Sequence, residues 1–308
     1  MTAVDPDDLV LAVDVGGTTI KAEITDAAGA VLSTGTVATP RAEAAFDAMG
    51  DLGEKLLTEL PAAHRDRVAR AAVILPGIVD PARGLAVFSS NIGWRDVKVG
   101  NRFSDRWGCP VLIEHDVTAG GWAEWRYGAG RGQDDVCVVI LGTGISGTLS
   151  VDGRLVRGAV GQSGEYGHIP VRHRGGLPCP CGSIGCVETV ASGVAIARAY
   201  TARTGREIAG AEQVFAVLDT DPDARHVVDD AVDALAEGLF GVIHASCPAL
   251  IVLGGGLAAA GAVLSEALQS RFDTLLRVVT PPRVVLGEFG ARAGLVGAAY
   301  YARVGALE

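Results

Sequence analysis

Cys179, Cys181 and Cys186 fall within eight residues, with Pro180, Gly182 and Gly185 in the intervals, the spacing of thiolates that wrap one metal ion. His168, eleven residues before Cys179, completes four soft or borderline donors. That is the tetrahedral set of a closed structural Zn2+ site, whereas a catalytic zinc keeps one position open. His173 lies nearer the thiols in the chain and competes with His168 for the fourth place. Two acids frame the cluster: Glu165, three residues before His168, and Glu188, two after Cys186. Carboxylates accept hydrogen bonds from vicinal hydroxyls, so acids and an imidazole fixed beside a metal knuckle suit a polyhydroxylated ligand.

Glycine-rich turns offer a second chemistry. In Asp14-Val15-Gly16-Gly17-Thr18-Thr19 the glycines would let backbone N–H groups approach phosphate, Thr18 offers a hydroxyl, and Asp14 is placed to hold Mg2+ through water. A plain β-turn is the alternative. Gly142-Thr143-Gly144-Ile145-Ser146-Gly147 matches the G-x-G-x-x-G spacing of dinucleotide sites, but that use requires a helix directly afterwards. Thr148 to Gly153 instead alternates and turns, so an NAD site is excluded and a phosphate-cradling hairpin equivalent to the first remains. Two such hairpins would clamp a nucleoside triphosphate, with Gly254-Gly255-Gly256, at a strand end and opening a helix, as a third wall. Asp116 stands between a strand and a helix. It is placed either to take a proton from an attacking hydroxyl, a role worth ~10²–10⁴ in rate, or to cap the helix.

These residues need a scaffold of strands with tight ends. Apolar runs predict strands over Leu9–Val15, Thr18–Thr25, Val31–Val37, Val68–Leu75 and Val111–Ile113. Helical spacing covers Glu43–Leu60, Val97–Trp107 and Val117–Tyr127. The second half repeats the pattern, with strands over Val136–Leu141, Ile145–Val151, Arg154–Arg157 and Ala249–Leu253 and helices over Val194–Thr204, Ala231–Ala245 and Gly294–Val304. Strand, glycine-threonine turn, strand, Asp/Gly turn, strand thus occurs twice, which predicts two related α/β lobes.

Composition bounds the class. The 308 residues suit two ordinary domains, with 49% hydrophobic and 20% charged residues. A net charge of -10 disfavours nucleic acid as a partner. No apolar run approaches the ~20 residues of a membrane span. Six cysteines in a chain this long, half of them clustered, form no disulfide framework, and the chain is expected to be cytoplasmic.

Taken together the motifs resemble the ROK family, whose fold resembles actin and hexokinase. They are Leu11-Ala-Val-Asp-Val-Gly-Gly-Thr18, Leu75-Pro-Gly-Ile-Val-Asp80, Asn91-Ile-Gly-Trp94, Glu114-His-Asp116, Leu141-Gly-Thr-Gly144, Gly164-Glu-Tyr-Gly-His168, the cysteine signature Cys179 to Glu188, and Gly254-Gly-Gly256. The resemblance implies a two-lobed, actin-like (ribonuclease H-like) α/β ATPase with an inserted zinc knuckle, residues 1–115 with 296–308 forming the small lobe and 116–295 the large one. It implies ATP- and Mg2+-dependent phosphorylation of a hexose at the C6 hydroxyl. Asp116 would be the general base and touch the sugar, while Glu165, His168 and Glu188 bind sugar and Gly77, Asn91 and His115 line the same pocket. Asp14, Gly16, Gly17, Thr18, Gly142, Thr143, Gly144, Gly255 and Gly256 would serve the nucleotide and its metal, and His168 would also hold structural zinc with the three cysteines.

Two positions depart from the family pattern. His115 stands where Asn usually precedes the catalytic Asp, and Thr118 replaces a second Asn. An imidazole has a different donor geometry from an amide that bridges two sugar hydroxyls. Glucokinases of the family usually keep that Asn, so the resemblance implies N-acetylglucosamine or a related N-acetylhexosamine as acceptor, with glucose the alternative. Polyphosphate as donor presents the same phosphate oxygens as ATP. ROK repressors carry a DNA-binding domain before the first phosphate motif, and only eight residues precede the first strand here. A non-catalytic sugar sensor is the remaining rival. Dimers are common in the family, and no segment of this sequence by itself declares an interface.

Overall fold

A computed structural model describes residues 3–172 and 175–307. The chain forms two compact units, Met1–Ala123 with Ala159–Gly161 and Arg292–Glu308, and Glu124–Gly158 with Gln162–Ala291.

The first unit contains β1 (Leu9–Val15), β2 (Thr19–Thr25), β3 (Val31–Ala38), α1 (Glu43–Glu59), α2 (Ala62–Arg65), β4 (Val68–Leu75), β5 (Ile78–Asp80), β6 (Leu85–Ser89), β7 (Trp94–Lys98), α3 (Val99–Trp107), β8 (Val111–His115) and the start of α4 (Asp116–Arg126). The second contains β9 (Val136–Leu141), β10 (Ile145–Val151), β11 (Arg154–Leu155), α5 (Glu188–Ala191), α6 (Gly193–Thr204), α7 (Ala211–Phe215), α8 (Pro222–Ser246), β12 (Leu250–Gly254), α9 (Ala262–Leu275) and β13 (Arg283–Leu286). The C-terminal α10 (Ala293–Val304) belongs to the first unit. No helix among the described residues is long and apolar enough to cross a membrane.

Both main sheets have the same order. The first runs β3-β2-β1-β4-β8 and the second β11-β10-β9-β12-β13. In each, the first three strands in sequence pair antiparallel and the later two add in parallel. β1 is apolar at nearly every position because both of its faces are covered. Leu9, Leu11, Val13 and Val15 join the core with Phe46 and Met49 of α1 and Phe103 and Trp107 of α3. The alternate residues of the strand, among them Asp14, face the side where α10 packs. The second core gathers β9 and β12 with α6, α8 and α9 around Val139, Leu235, Ile251 and Phe272.

Several boundaries move from those predicted. Val97 and Lys98 pair with Ala86 and Leu85 in a small β5-β6-β7 sheet, so the helix begins only at Val99. α8 starts at Pro222, nine residues before the predicted Ala231, because Asp221 caps it by accepting the Asp223 and Ala224 N–H groups. Gly254-Gly255-Gly256 does not lead straight into an α-helix. A 3-10 turn spans Gly256–Ala260, and Gly261 breaks it before α9.

α10 crosses α4 at small residues. A Cβ on Gly297 would overlap the Ala119 carbonyl oxygen, and one on Gly120 would stand 3.4 Å from the Ala293 backbone. Gly297→Val should therefore lower stability by roughly 1–3 kcal/mol, the usual range for forcing extra methyl groups into a packed contact. Urea denaturation of variant and parent is the measurement, and an unchanged midpoint would contradict the close crossing.

Candidate functional site

In the first unit the chemistry-bearing residues collect at the carboxyl ends of parallel strands. Asp14 is the penultimate residue of β1 and faces α10, where a Cβ on Gly294 would stand 2.6 Å from Oδ2. Burial, and then repulsion from Asp116, lift the Asp14 carboxyl from an ordinary 3.8 to about 6, although Lys21 across the β1–β2 pair pulls the other way. In the turn that follows, the Gly16 N–H donates to Thr19 O at 2.9 Å and the Thr39 hydroxyl to Gly16 O at 2.8 Å. Gly17 and Thr18 are exposed at its tip.

Asp116 opens α4 directly after β8. Its Oδ1 accepts the Val117 N–H at 2.8 Å and lies 3.2 Å from His115 Nε2. His115 Nδ1 lies 3.3 Å from Thr118 Oγ1, so both ring nitrogens are engaged within the same turn. Gly77, just past β4, has φ 100 and a position where a Cβ would overlap the Phe88 carbonyl oxygen. It thus abuts the end of β6, from which the chain continues to the exposed Asn91.

In the second unit, Gly142-Thr143-Gly144 joins β9 to β10, with the Gly142 N–H donating to Gly144 O at 2.9 Å and Thr143 exposed. A strand follows Gly147, as the rejection of a dinucleotide site requires. Gly255, at φ 83, stands where a Cβ would overlap the Leu141 carbonyl oxygen, so the third glycine run abuts the base of the hairpin. Ile145 N–H donates to Glu188 Oε2 at 2.9 Å. Glu165 is half exposed, its Oε2 3.9 Å from His168 Nε2.

His168, Cys179, Cys181 and Cys186 place their ligand atoms within 4.8 Å of one another. The other histidine weighed for this cluster, His173, lies outside the described residues. Cys181 Sγ and Cys186 Sγ are 3.8 Å apart, and Cys179 Sγ is 3.6 Å from His168 Nδ1. A tetrahedral zinc with Zn–S of about 2.3 Å and Zn–N of about 2.05 Å has edges of about 3.8 Å between sulfurs and about 3.6 Å between sulfur and nitrogen. The donor set therefore fits Zn2+ in chemistry and in size. Burial pushes the Cys186 thiol up to about 12, so a buried thiolate there calls for a cation.

Sequence reasoning missed Tyr166 and Gly294. Tyr166 is buried among Ile145, Val139 and Val187 and anchors the turn that carries Glu165 and His168. A tyrosine between two polar candidates was the available signal. Gly294 meets Asp14 only in the folded chain.

The Asp14 shift has a testable sign. Between the ordinary value and about 6 the folded chain keeps a proton that the unfolded chain has lost. Stability therefore falls as pH rises through that window, and the deficit persists above it. In magnesium-free buffer Asp14→Asn should melt above the parent at pH 8 and close to it at pH 4.5. A melting difference independent of pH would show that the carboxyl titrates normally.

The chain matches the ROK family model over residues 10–304. It is 33% identical over 318 residues to the glucokinase of Streptomyces coelicolor, covering 96% of this chain and 98% of that protein. It is 32% identical over 297 residues to an N-acetylgalactosamine kinase of Shewanella, covering 93% and 94%. Among solved structures it is similar to a ROK family glucokinase from Streptomyces griseus in complex with glucose and AMPPNP, with TM-score 0.81, 32% identity, and 96% and 99% of the two chains covered. With the match running from within β1 to the last residue of α10, the chain belongs to the ROK family.

Proposed function

We propose that this ROK family member is an ATP-dependent sugar kinase that phosphorylates the C6 hydroxyl of a hexose. The observation that carries the reading is the Asp14–Asp116 pair of carboxylates beside a glycine turn in the first unit, together with family membership. Asp116 accepts the proton as the C6 oxygen attacks the γ-phosphorus. The bond from that phosphorus to the β,γ-bridging oxygen breaks, and ADP leaves with the electron pair. Asp14, with Lys21 opposite it, would hold Mg2+ through water, and the cation would neutralise charge on the phosphates. The glycine runs at Gly16-Gly17-Thr18, Gly142-Thr143-Gly144 and Gly255-Gly256 would present backbone N–H groups to the phosphate oxygens.

Glu165, His168 and Glu188 would accept and donate hydrogen bonds to sugar hydroxyls, with Gly77 and Asn91 lining the same pocket. His168 would hold zinc through Nδ1, the nitrogen nearer Cys179, and leave Nε2 toward Glu165. Zinc there is structural: it would bind the turn carrying His168 to the segment that ends in Glu188.

N-acetylglucosamine is the proposed acceptor. Support comes from His115, whose ring engages Asp116 and Thr118 where the family pattern has a sugar-bridging amide. Glucose is the second reading, supported by the glucokinases among the relatives and by the glucose-bound structure of one of them.

ADP release from Mg-ATP across a panel of glucose, N-acetylglucosamine, N-acetylmannosamine, mannose, fructose and allose tests the reaction. The expected result is turnover of a hexose, with N-acetylglucosamine preferred. Sugar binding without ADP release would favour a sensor instead. Asp116→Asn should lower kcat by ~10²–10⁴ while leaving the sugar Kd within a few-fold, and near-normal turnover would remove Asp116 from the role of base. Metal analysis of purified protein should find about one zinc per chain, and a chelator should lower the melting temperature.

A further inference from the structure

Residues 186–193 run from the metal-ligating cysteine to the phosphate hairpin and are bonded to it at both of its ends. Cys186 is fully buried, and its carbonyl accepts the Thr189 hydroxyl at 2.7 Å. Val187 N–H donates to Ile169 O at 3.0 Å, tying this segment to the residue after His168. Glu188 Oε2 then accepts the Ile145 N–H at 2.9 Å, and Gly193 N–H donates to Gly142 O at 2.9 Å. The two contacts bracket Thr143 at the hairpin tip. Gly144 admits the carboxylate, since a Cβ there would stand only 2.5 Å from Glu188 Oε2.

A carboxylate aimed at a triphosphate would repel it. Here the charge of Oε2 is spent on a backbone N–H of the hairpin, a charge-assisted bond of the stronger class. A carboxylate has two oxygens, so a bond from Oε2 to the hairpin is compatible with a sugar hydroxyl on Oε1.

We propose that Glu188 is a positioning residue for the phosphate hairpin, so that the metal knuckle sets nucleotide affinity as well as sugar recognition. The inference rests on the kinase reading above. Its physical content is preorganisation: a hairpin held in one conformation binds more tightly than one that samples several, in proportion to the competent fraction.

Calorimetric titration with Mg-ADP, in the absence of any sugar, separates this role from sugar binding. Glu188→Ala should weaken Mg-ADP about tenfold. Glu188→Gln, whose amide oxygen can still accept the Ile145 N–H, should stay within about twofold. Hydrogen exchange at Ile145 should quicken at least about tenfold in Glu188→Ala and little in Glu188→Gln. Parent protein stripped of metal should show the same loss of affinity and the same faster exchange. Stripping Glu188→Ala should add little, because both changes release the same strap. If Glu188→Ala proves unstable, Glu188→Asp, one methylene shorter, carries the comparison. Normal Mg-ADP affinity and normal Ile145 exchange in Glu188→Ala would overturn the inference and leave Glu188 a sugar ligand alone. Failure of the parent to bind Mg-ADP at all would instead overturn the kinase reading, and this inference with it.

Discussion

Parallel pairing is the constraint on which the candidate site depends. Hydrogen bonding in parallel register aligns the carboxyl ends of neighbouring strands along one edge of a sheet, where α/β proteins bind ligands. Asp14 pairs with Ile74 and Leu75 with His115, which brings the ends of β1, β4 and β8 into one row. Asp14, Gly77 and Asp116 therefore emerge side by side although they are far apart in sequence. The second sheet repeats the device, because Gly254 pairs with Ile140 and the glycines after β9 and β12 leave the same edge. Groups set on strand ends are held by the ladder itself, so their spacing does not rely on long loops.

Buried carboxylates show how the same residue type is put to different ends. Glu124 is fully buried, and its two oxygens accept the N–H groups of Phe289 and Glu288 at 2.7 and 2.9 Å. Such a satisfied carboxylate closes a loop and has no capacity left for chemistry. Asp14 is given no comparable donor among the described residues, and its carboxyl is pushed upward by burial and by Asp116. An acid left in that condition is stabilised by a cation arriving beside it, which lowers the cost of keeping both carboxylates charged. Asp14 and Asp116 are thereby linked through one repulsion.

The strands with both faces covered were legible in the sequence because continuous apolar runs have few other uses. Leu9–Val15, Val68–Leu75 and Val136–Leu141 run between the residues predicted, as does Ile145–Val151, which is marked by its place between a glycine turn and an Asp-Gly turn and not by an apolar run. The β5-β6-β7 sheet was hidden because β5 has three residues and β7 buries chiefly Trp94, which leaves no periodicity to read. The first half of α8 was hidden by its acids. Residues 222–230 hold Asp223, Asp229 and Asp230, which show no apolar spacing, and Arg203, Arg271 and Arg172 pair with them in the fold. Cysteine spacing and glycine turns are local features that the sequence displays without the fold. The contact of Gly294 with Asp14 and the bond from Glu188 to Ile145 join distant segments, and nothing local in the sequence marks them.

His115 and Thr118 show that two departures from a family pattern can meet in the fold. His115 Nε2 lies 3.2 Å from Asp116 Oδ1 and its Nδ1 3.3 Å from Oγ1 of Thr118, which is itself the second substitution. Each ring nitrogen thus stands beside a polar partner in the same turn, one a carboxylate and the other a hydroxyl. The two replacements are thus in contact, because the Thr118 hydroxyl lies beside the imidazole. An amide in place of His115 has no ring to span the carboxylate and the hydroxyl in this way. Set against Asp116 and Thr118 in this way, the imidazole presents a different surface at the end of β8 from the amide of the family pattern.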